Sequence, residues 1–194
     1  MRGPSRARVV SRRHQAKRAS TSVRGGANGS VAAVDRSIRD FTADDAAAVN
    51  AVALAAFEQY RGEYDDWPAF SAFVGSMADL AQGGELIVAL SDGRIAGAVT
   101  YFGPQAAKPA MFDPAWPVIR LLVVDPEARG HGLGRMLTEE CIRRARRDGA
   151  GVIALRTSPI MQVALAMYLR LGFVPLRDSA PIFGVPYRIY LKRL

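Results

Sequence analysis

The chain has 194 residues, 49 % of them apolar, which is enough material for one globular domain with a real core. Its formal charge of +8 is misleading: the first 34 residues hold eight Lys or Arg and no acid, and the rest carries 18 basic and 18 acidic side chains. A disulfide framework is excluded because Cys141 stands alone, and a membrane-spanning helix because no uninterrupted apolar run approaches ~18 residues.

Residues 1–34 (Arg2, Arg6, Arg8, Arg12, Arg13, Lys17, Arg18 and Arg24 among Ser, Ala and Gly) show no sustained apolar period and are expected to be a disordered basic tail. Such a tail suits a polyanion bound through counterion release, a transit peptide, or a dispensable extension. The last is favoured, since the net-neutral remainder offers nucleic acid no other hold. The fold is therefore sought in residues 35–194.

Ser37–Phe41 reads as a short strand. Thr42 then caps a helix with Asp44 and Asp45 in its first turn; Val49, Val52, Ala53, Ala56 and Phe57 carry its apolar face to about Gln59. Tyr60–Trp67 reads as a loop. A second helix starts at Pro68, with Phe70, Phe73, Val74, Met77 and Leu80 facing inward, and stops at Gly83-Gly84. Glu85–Leu90 and Ile95–Phe102 form a hairpin about Ser91-Asp92-Gly93-Arg94. After a Pro-rich loop, Val118–Val124 is a strand and a helix runs from about Gly132 to Arg147, basic at its end. Cys141 sits at apolar spacing with Leu137 and Ala145, as a packing residue does; a lone buried thiol accords with a reducing, cytoplasmic setting. Val152–Arg156 is a strand, Met161–Leu171 a helix, and Phe173–Leu176 and Tyr187–Leu191 two final strands. The order β-α-α-β-β-β-α-β-α-β-β specifies an α/β (α+β) domain, a mixed β-sheet flanked by helices.

Chemistry concentrates in Val123-Val124-Asp125-Pro126-Glu127-Ala128-Arg129-Gly130-His131-Gly132-Leu133-Gly134-Arg135. A β-branched run passes through a glycine-rich turn into an amphipathic helix. Several backbone N–H groups then gather at a helix N-terminus, where the macrodipole favours an anion and the glycines leave room for one. The spacing is wrong for a dinucleotide fingerprint, because Gly134 comes one residue early, and Gly134-Arg135-Met136 lacks the Lys and Ser/Thr of a P-loop. This is a phosphate cradle of another kind.

Arg129, Gly132 and Gly134 resemble the Arg/Gln-x-x-Gly-x-Gly/Ala motif of the GNAT superfamily of N-acetyltransferases. Ala164, Tyr168 and Gly172-Phe173 resemble its second signature, Ala-x-x-x-Tyr-x-x-x-Gly-Phe. The resemblance covers about residues 36–194 and implies a GNAT-like sheet. By this resemblance Gly130, His131, Gly132, Leu133 and Gly134 hold the pyrophosphate of acetyl-CoA. Arg129 and Arg135 add charge-assisted contacts, and His131 projects into solvent beside the phosphates.

The same resemblance has Leu122, Val123 and Val124 splay from the neighbouring strand and bind the pantetheine arm, one N–H polarising the thioester oxygen. Tyr168 is then the general acid for the departing sulfur. No metal is implied. The implied partner is a primary amine of a small molecule or protein, which attacks directly in a ternary complex. A membrane partner is not expected, nucleic acid would enter only through the tail, and a homodimer stays open.

Two positions depart from the family pattern. Met161 stands where many members have a cofactor-contacting Asn, which leaves Ser158 or Gln162 as polar substitutes; Ser158 is counted with the cofactor site. Arg120 stands where many members have a Glu as general base, so that role is unassigned. Glu58, Glu63, Asp65 and Asp66 border the acceptor site in this family, with Tyr60, Tyr64 and Trp67 as wall candidates. The missing Glu keeps an alternative open, a non-catalytic acyl-CoA sensor or interaction module.

Overall fold

The computed structural model describes residues 34–194, so the basic tail lies outside the described residues. Strand β1 (Arg36–Asp40) precedes helices α1 (Ala46–Phe57) and α2 (Trp67–Val74), then strands β2 (Glu85–Ser91), β3 (Arg94–Phe102) and β4 (Val118–Val124). Helix α3 (Leu133–Arg147), strand β5 (Val152–Thr157), helix α4 (Gln162–Arg170) and strands β6 (Val174–Ile182) and β7 (Val185–Arg193) complete the chain. This is the element order expected from the sequence. The strands form one seven-stranded sheet in the order β1-β2-β3-β4-β5-β7-β6. It is antiparallel except where β4 meets β5.

Alternating side chains supply both faces of the sheet. Ile87, Ala89, Val99 and Tyr101 pack with Leu133, Leu137, Cys141 and Ala145 of α3. Leu86, Val88 and Ala98 pack on the other face with Val49, Val52 and Ala53 of α1 and with Phe70 and Val74 of α2. The predicted second helix breaks at Gly75, and Met77–Gln82 continues as a 3-10 turn. A Cβ at Gly75 would lie 3.0 Å from the Ser71 carbonyl oxygen and 3.2 Å from Leu54, so the glycine permits a close approach to α1.

The last two strands run well past the expected spans. β6 is an edge strand with mostly exposed residues, so Pro175, Asp178, Ser179 and Pro181 dilute its alternation without preventing it from pairing with β7.

One irregularity positions everything else. Between Ala98↔Val123 and Thr100↔Arg120 the register shifts by one residue, and Leu121 takes φ 48°. This is a β-bulge in β4. Its effect is visible in the core: Ile119, Leu122 and Val124 pack with α3, whereas Leu121 and Val123 pack on the α1 side. An inserted residue has reversed the alternation. Beyond Ile119↔Leu155, β4 and β5 have no further paired residues, so the strands part and leave one edge of β4 without a ladder partner.

Candidate active site

The parting of β4 and β5 opens a cleft of about 450 Å³ between β4, the turn before α3, the end of α1 and α4. Leu122, Val123 and Val124 line it from the unpaired edge of β4, and Arg129, Gly130, Gly132, Leu133, Gly134 and Arg135 from the turn. Gly130 and Gly132 have φ 79° and 85°, a backbone region that costs an L-residue roughly 1–2 kcal/mol. A Cβ at either would meet nothing within 4 Å, so the glycines leave open space in front of the turn. Leu133 anchors the start of α3, 1 % exposed in the core. The result is a rigid helix N-terminus facing a void, which is what an anionic group requires.

The other expected cofactor residues divide. The Arg129 guanidinium donates to the Ala56 carbonyl oxygen at 2.9 Å, so it ties the turn to the C-terminal end of α1. Arg135 pairs with Glu139 at 2.8 Å on the surface of α3. His131 is exposed, its Nδ1 lies 3.3 Å from the Ala128 carbonyl oxygen, and the cleft lining does not include it. Ser158 is not brought to the cleft. It is fully buried in the turn after β5, and its Oγ accepts from the Ile160 N–H at 3.4 Å. The hydroxyl is consumed by its own turn. Met161, Val163, Ala164 and Met167 occupy that wall instead, an apolar surface along α4.

A second, smaller cavity of about 130 Å³ lies beyond the bulge. Phe57, Leu122, Met161 and Ala164 line both cavities, so the two lie side by side about β4. Tyr168 faces the smaller one. It is 5 % exposed, packs edge-on against Phe173 at 5.7 Å, and burial pushes its phenol well above the ordinary tyrosine range.

No Asp or Glu lines either cavity. Glu58 pairs with Arg61 at 2.6 Å, and Asp66 caps α2 by accepting from the Ala69 N–H at 2.9 Å. Asp65 lies against Gly184 in the β6–β7 turn. Tyr64 is buried, stacked on Phe70 at 3.7 Å and hydrogen-bonded to the Tyr187 hydroxyl at 2.6 Å. Among the described residues no group of His, Cys, Asp and Glu is placed to hold a metal ion, and no helix is long and apolar enough to cross a membrane.

The sequence profile of the Acetyltransferase (GNAT) family matches residues 47–173, from α1 through the cradle to the start of the final hairpin. The chain belongs to that family. It is an N-acetyltransferase of the GNAT type, using acetyl-CoA as donor. Comparison with curated proteins finds no match.

Solved structures share the fold. A GCN5-related N-acetyltransferase from Rhodopseudomonas palustris is 20 % identical with a TM-score of 0.65, covering 81 % of this chain and 95 % of its own. The acetyltransferase yncA of Salmonella typhimurium, solved with its cofactor acetyl-CoA, is 21 % identical with a TM-score of 0.60, covering 82 % and 94 %. A ribosomal-protein-alanine N-acetyltransferase from Brucella melitensis is 23 % identical with a TM-score of 0.60, covering 81 % and 99 %.

The residues present fit acetyl-CoA. The turn offers main-chain donors before open space, the unpaired edge of β4 offers N–H and C=O groups to an amide-bearing arm, and the cleft is long enough to reach the bulge.

Proposed function

We propose that the protein acetylates a primary amine by direct attack, with donor and acceptor held at the same time on either side of the β4 bulge. The observation that carries this reading is the junction of the two cavities at Phe57, Leu122, Met161 and Ala164. One cavity has the cradle, the other has none. Two substrates entering from opposite sides meet there without a relay.

The nucleophile inventory agrees. Cys141 is completely buried on the sheet-facing side of α3, and burial holds its thiol far above the ordinary range, so no thiolate is available to carry an acyl group.

In this reading the turn from Arg129 to Arg135 holds the diphosphate through main-chain N–H groups, and the freed edge of β4 from Leu122 to Val124 orients the arm. Acetyl-CoA supplies the acetyl group as a thioester. Transfer forms an amide C–N bond, breaks the C–S bond, and requires one proton to leave the amine and one to reach the sulfur. Tyr168 supports the departing sulfur. Its raised pKa keeps the phenol protonated but makes it a weaker acid than a thiol, so it chiefly donates a hydrogen bond as negative charge grows there. No carboxylate faces the junction, so the amine sheds its proton to water, and the departing thiolate takes its proton from water once it leaves Tyr168.

Initial-velocity kinetics test the scheme. Varying acetyl-CoA against an amine should give intersecting double-reciprocal lines. kcat/KM should climb tenfold per pH unit toward the acceptor's own pKa, without an inflection between pH 6 and 8. Parallel lines, or a labelled acyl-enzyme trapped before amine is added, would overturn direct attack.

A further inference from the structure

The smaller cavity contains two cations and no anion. Arg120 on β4 and Arg156 on β5 both line it. The ladder's last paired residues are Ile119↔Leu155, so these arginines stand at adjacent positions just where the strands part. Like charges placed opposite one another on neighbouring strands are destabilising. Desolvation, and then the neighbouring Arg156, lowers the pKa of Arg120, although a guanidinium stays charged throughout the physiological range.

Neither arginine has an acidic partner among the described residues. The undescribed residues 1–33 contain no Asp or Glu that could supply one. Arg120 lies over the Phe102 ring at 5.3 Å, and Arg156 lies over the Tyr187 ring at 4.9 Å and donates to the Ala180 carbonyl oxygen. The Arg156 Nε is buried without any hydrogen-bond partner. Arg144, 6 % exposed, is by contrast met by three carboxylates, those of Asp40, Glu85 and Glu140. Two half-buried cations side by side, with an orphaned donor, call for an anion from outside.

We infer that Arg120 and Arg156 bind a carboxylate of the acceptor, which makes the acceptor a small amino acid with an apolar or aromatic side chain. The inference rests on the proposed direct transfer. Planar guanidinium forks match a carboxylate in paired hydrogen bonds. Phe57, Phe70, Phe73, Met111 and Phe112 make much of the remaining lining apolar, beside the hydroxyl-bearing Thr157, Tyr168 and Tyr187, and suit an apolar or aromatic body. A cavity of about 130 Å³ limits that body to the size of one side chain. With the carboxylate held at the strand parting, the amine faces the junction with the cofactor cleft.

The full-length protein with acetyl-CoA tests this by thiol release on matched acceptors: leucine, leucinamide and isopentylamine, then phenylalanine, its amide and phenethylamine. The free amino acids should exceed their amides and decarboxylated amines by about 100-fold in kcat/KM, chiefly through KM. Arg120→Met and Arg156→Met should each collapse that ratio toward unity while acetyl-CoA affinity, the check on folding, is retained.

Amides used as well as acids, a ratio unmoved in both variants, or an aminoalkyl phosphate preferred over the carboxylates would overturn the assignment. A binding readout separates it from the transfer reading: N-acetyl-leucine titrated into the CoA complex should bind the wild type and not the double variant. Arginine-dependent binding with no turnover on any acceptor would keep the carboxylate site and remove the transfer scheme. Turnover on amines with no such binding would do the reverse.

Discussion

In the reading proposed above, the two halves of the site recognise their ligands by different means. On the cofactor side the donors are main-chain N–H groups fixed by a helix start and two left-handed glycines, and the side chains nearby serve structure: Arg129 holds α1 and Arg135 holds Glu139. On the proposed acceptor side the backbone supplies only the bulge at Leu121, and the recognising groups are the side chains of Arg120, Arg156 and Tyr168 set among aromatic rings. A backbone site is insensitive to side-chain drift and reads a group common to every donor molecule. A side-chain site is where specificity is written.

The largest expected effect follows on the backbone side. Gly132→Glu forces an L-residue to φ 85° and sets a carboxylate where the turn expects phosphate oxygens. Acetyl-CoA Kd should rise about 100-fold, or about 2.7 kcal/mol, measured by calorimetry. If the affinity is retained, the cradle is not a main-chain device and the contrast fails. Gly132→Ala should cost far less, because the space ahead of the turn is open and only the backbone conformation is penalised.

The same contrast governs what the sequence disclosed. The cradle is local: a strand, a glycine-rich turn and a helix follow in one uninterrupted stretch, and β4 and α3 fall where periodicity puts them. The hairpin of β2 and β3 was legible for the same reason. The acceptor side is assembled across the fold. Arg120 and Arg156 become neighbours only because β4 and β5 pair in parallel around an intervening helix, and they become exposed to a cavity only because a bulge at Leu121 separates the strands. Leu121 carries no turn residue to announce its φ of 48°. Arg120 was noticed solely as an absent Glu, and Arg156 as a strand end. Ser158 shows the opposite limit: proximity in sequence to the helix suggests a ligand, while the fold buries it outside the cleft lining, its Oγ accepting from the Ile160 N–H.

A middle-sized effect probes the acceptor side. Tyr168→Phe keeps the ring that packs on Phe173 and removes the hydroxyl of a residue that lines the smaller cavity. Turnover with a saturating acceptor should fall about tenfold, near 1.4 kcal/mol, with acetyl-CoA affinity unchanged. Equal turnover from pH 6 to 9 would reduce Tyr168 to a packing residue. A rise in acetyl-CoA Kd instead would mean that the hydroxyl belongs to the cofactor side.

The smallest effect lies midway along α3, about two turns from the cradle, and it asks whether that cradle is held from afar. Glu140 accepts from Arg143 at 2.6 and 2.7 Å and from Arg144 at 2.9 Å. Hydrogen bonding by Arg143 first, and then by Arg144, draws its carboxyl down to about 2. A carboxyl depressed on folding stabilises the fold above its unfolded pKa near ~4.3 and loses that contribution as pH falls through that value toward about 2.

Glu140→Gln should therefore cost about 1 kcal/mol in urea unfolding at pH 7 and progressively less between pH 4 and pH 2. Acetyl-CoA affinity at pH 7 should not move, because Arg144 keeps Asp40 and Glu85 and so still ties α3 to β1 and β2. A parallel loss of affinity would show that the helix start is ordered only while its middle is fully clamped, and would make the cradle a product of the whole helix rather than of its first turn.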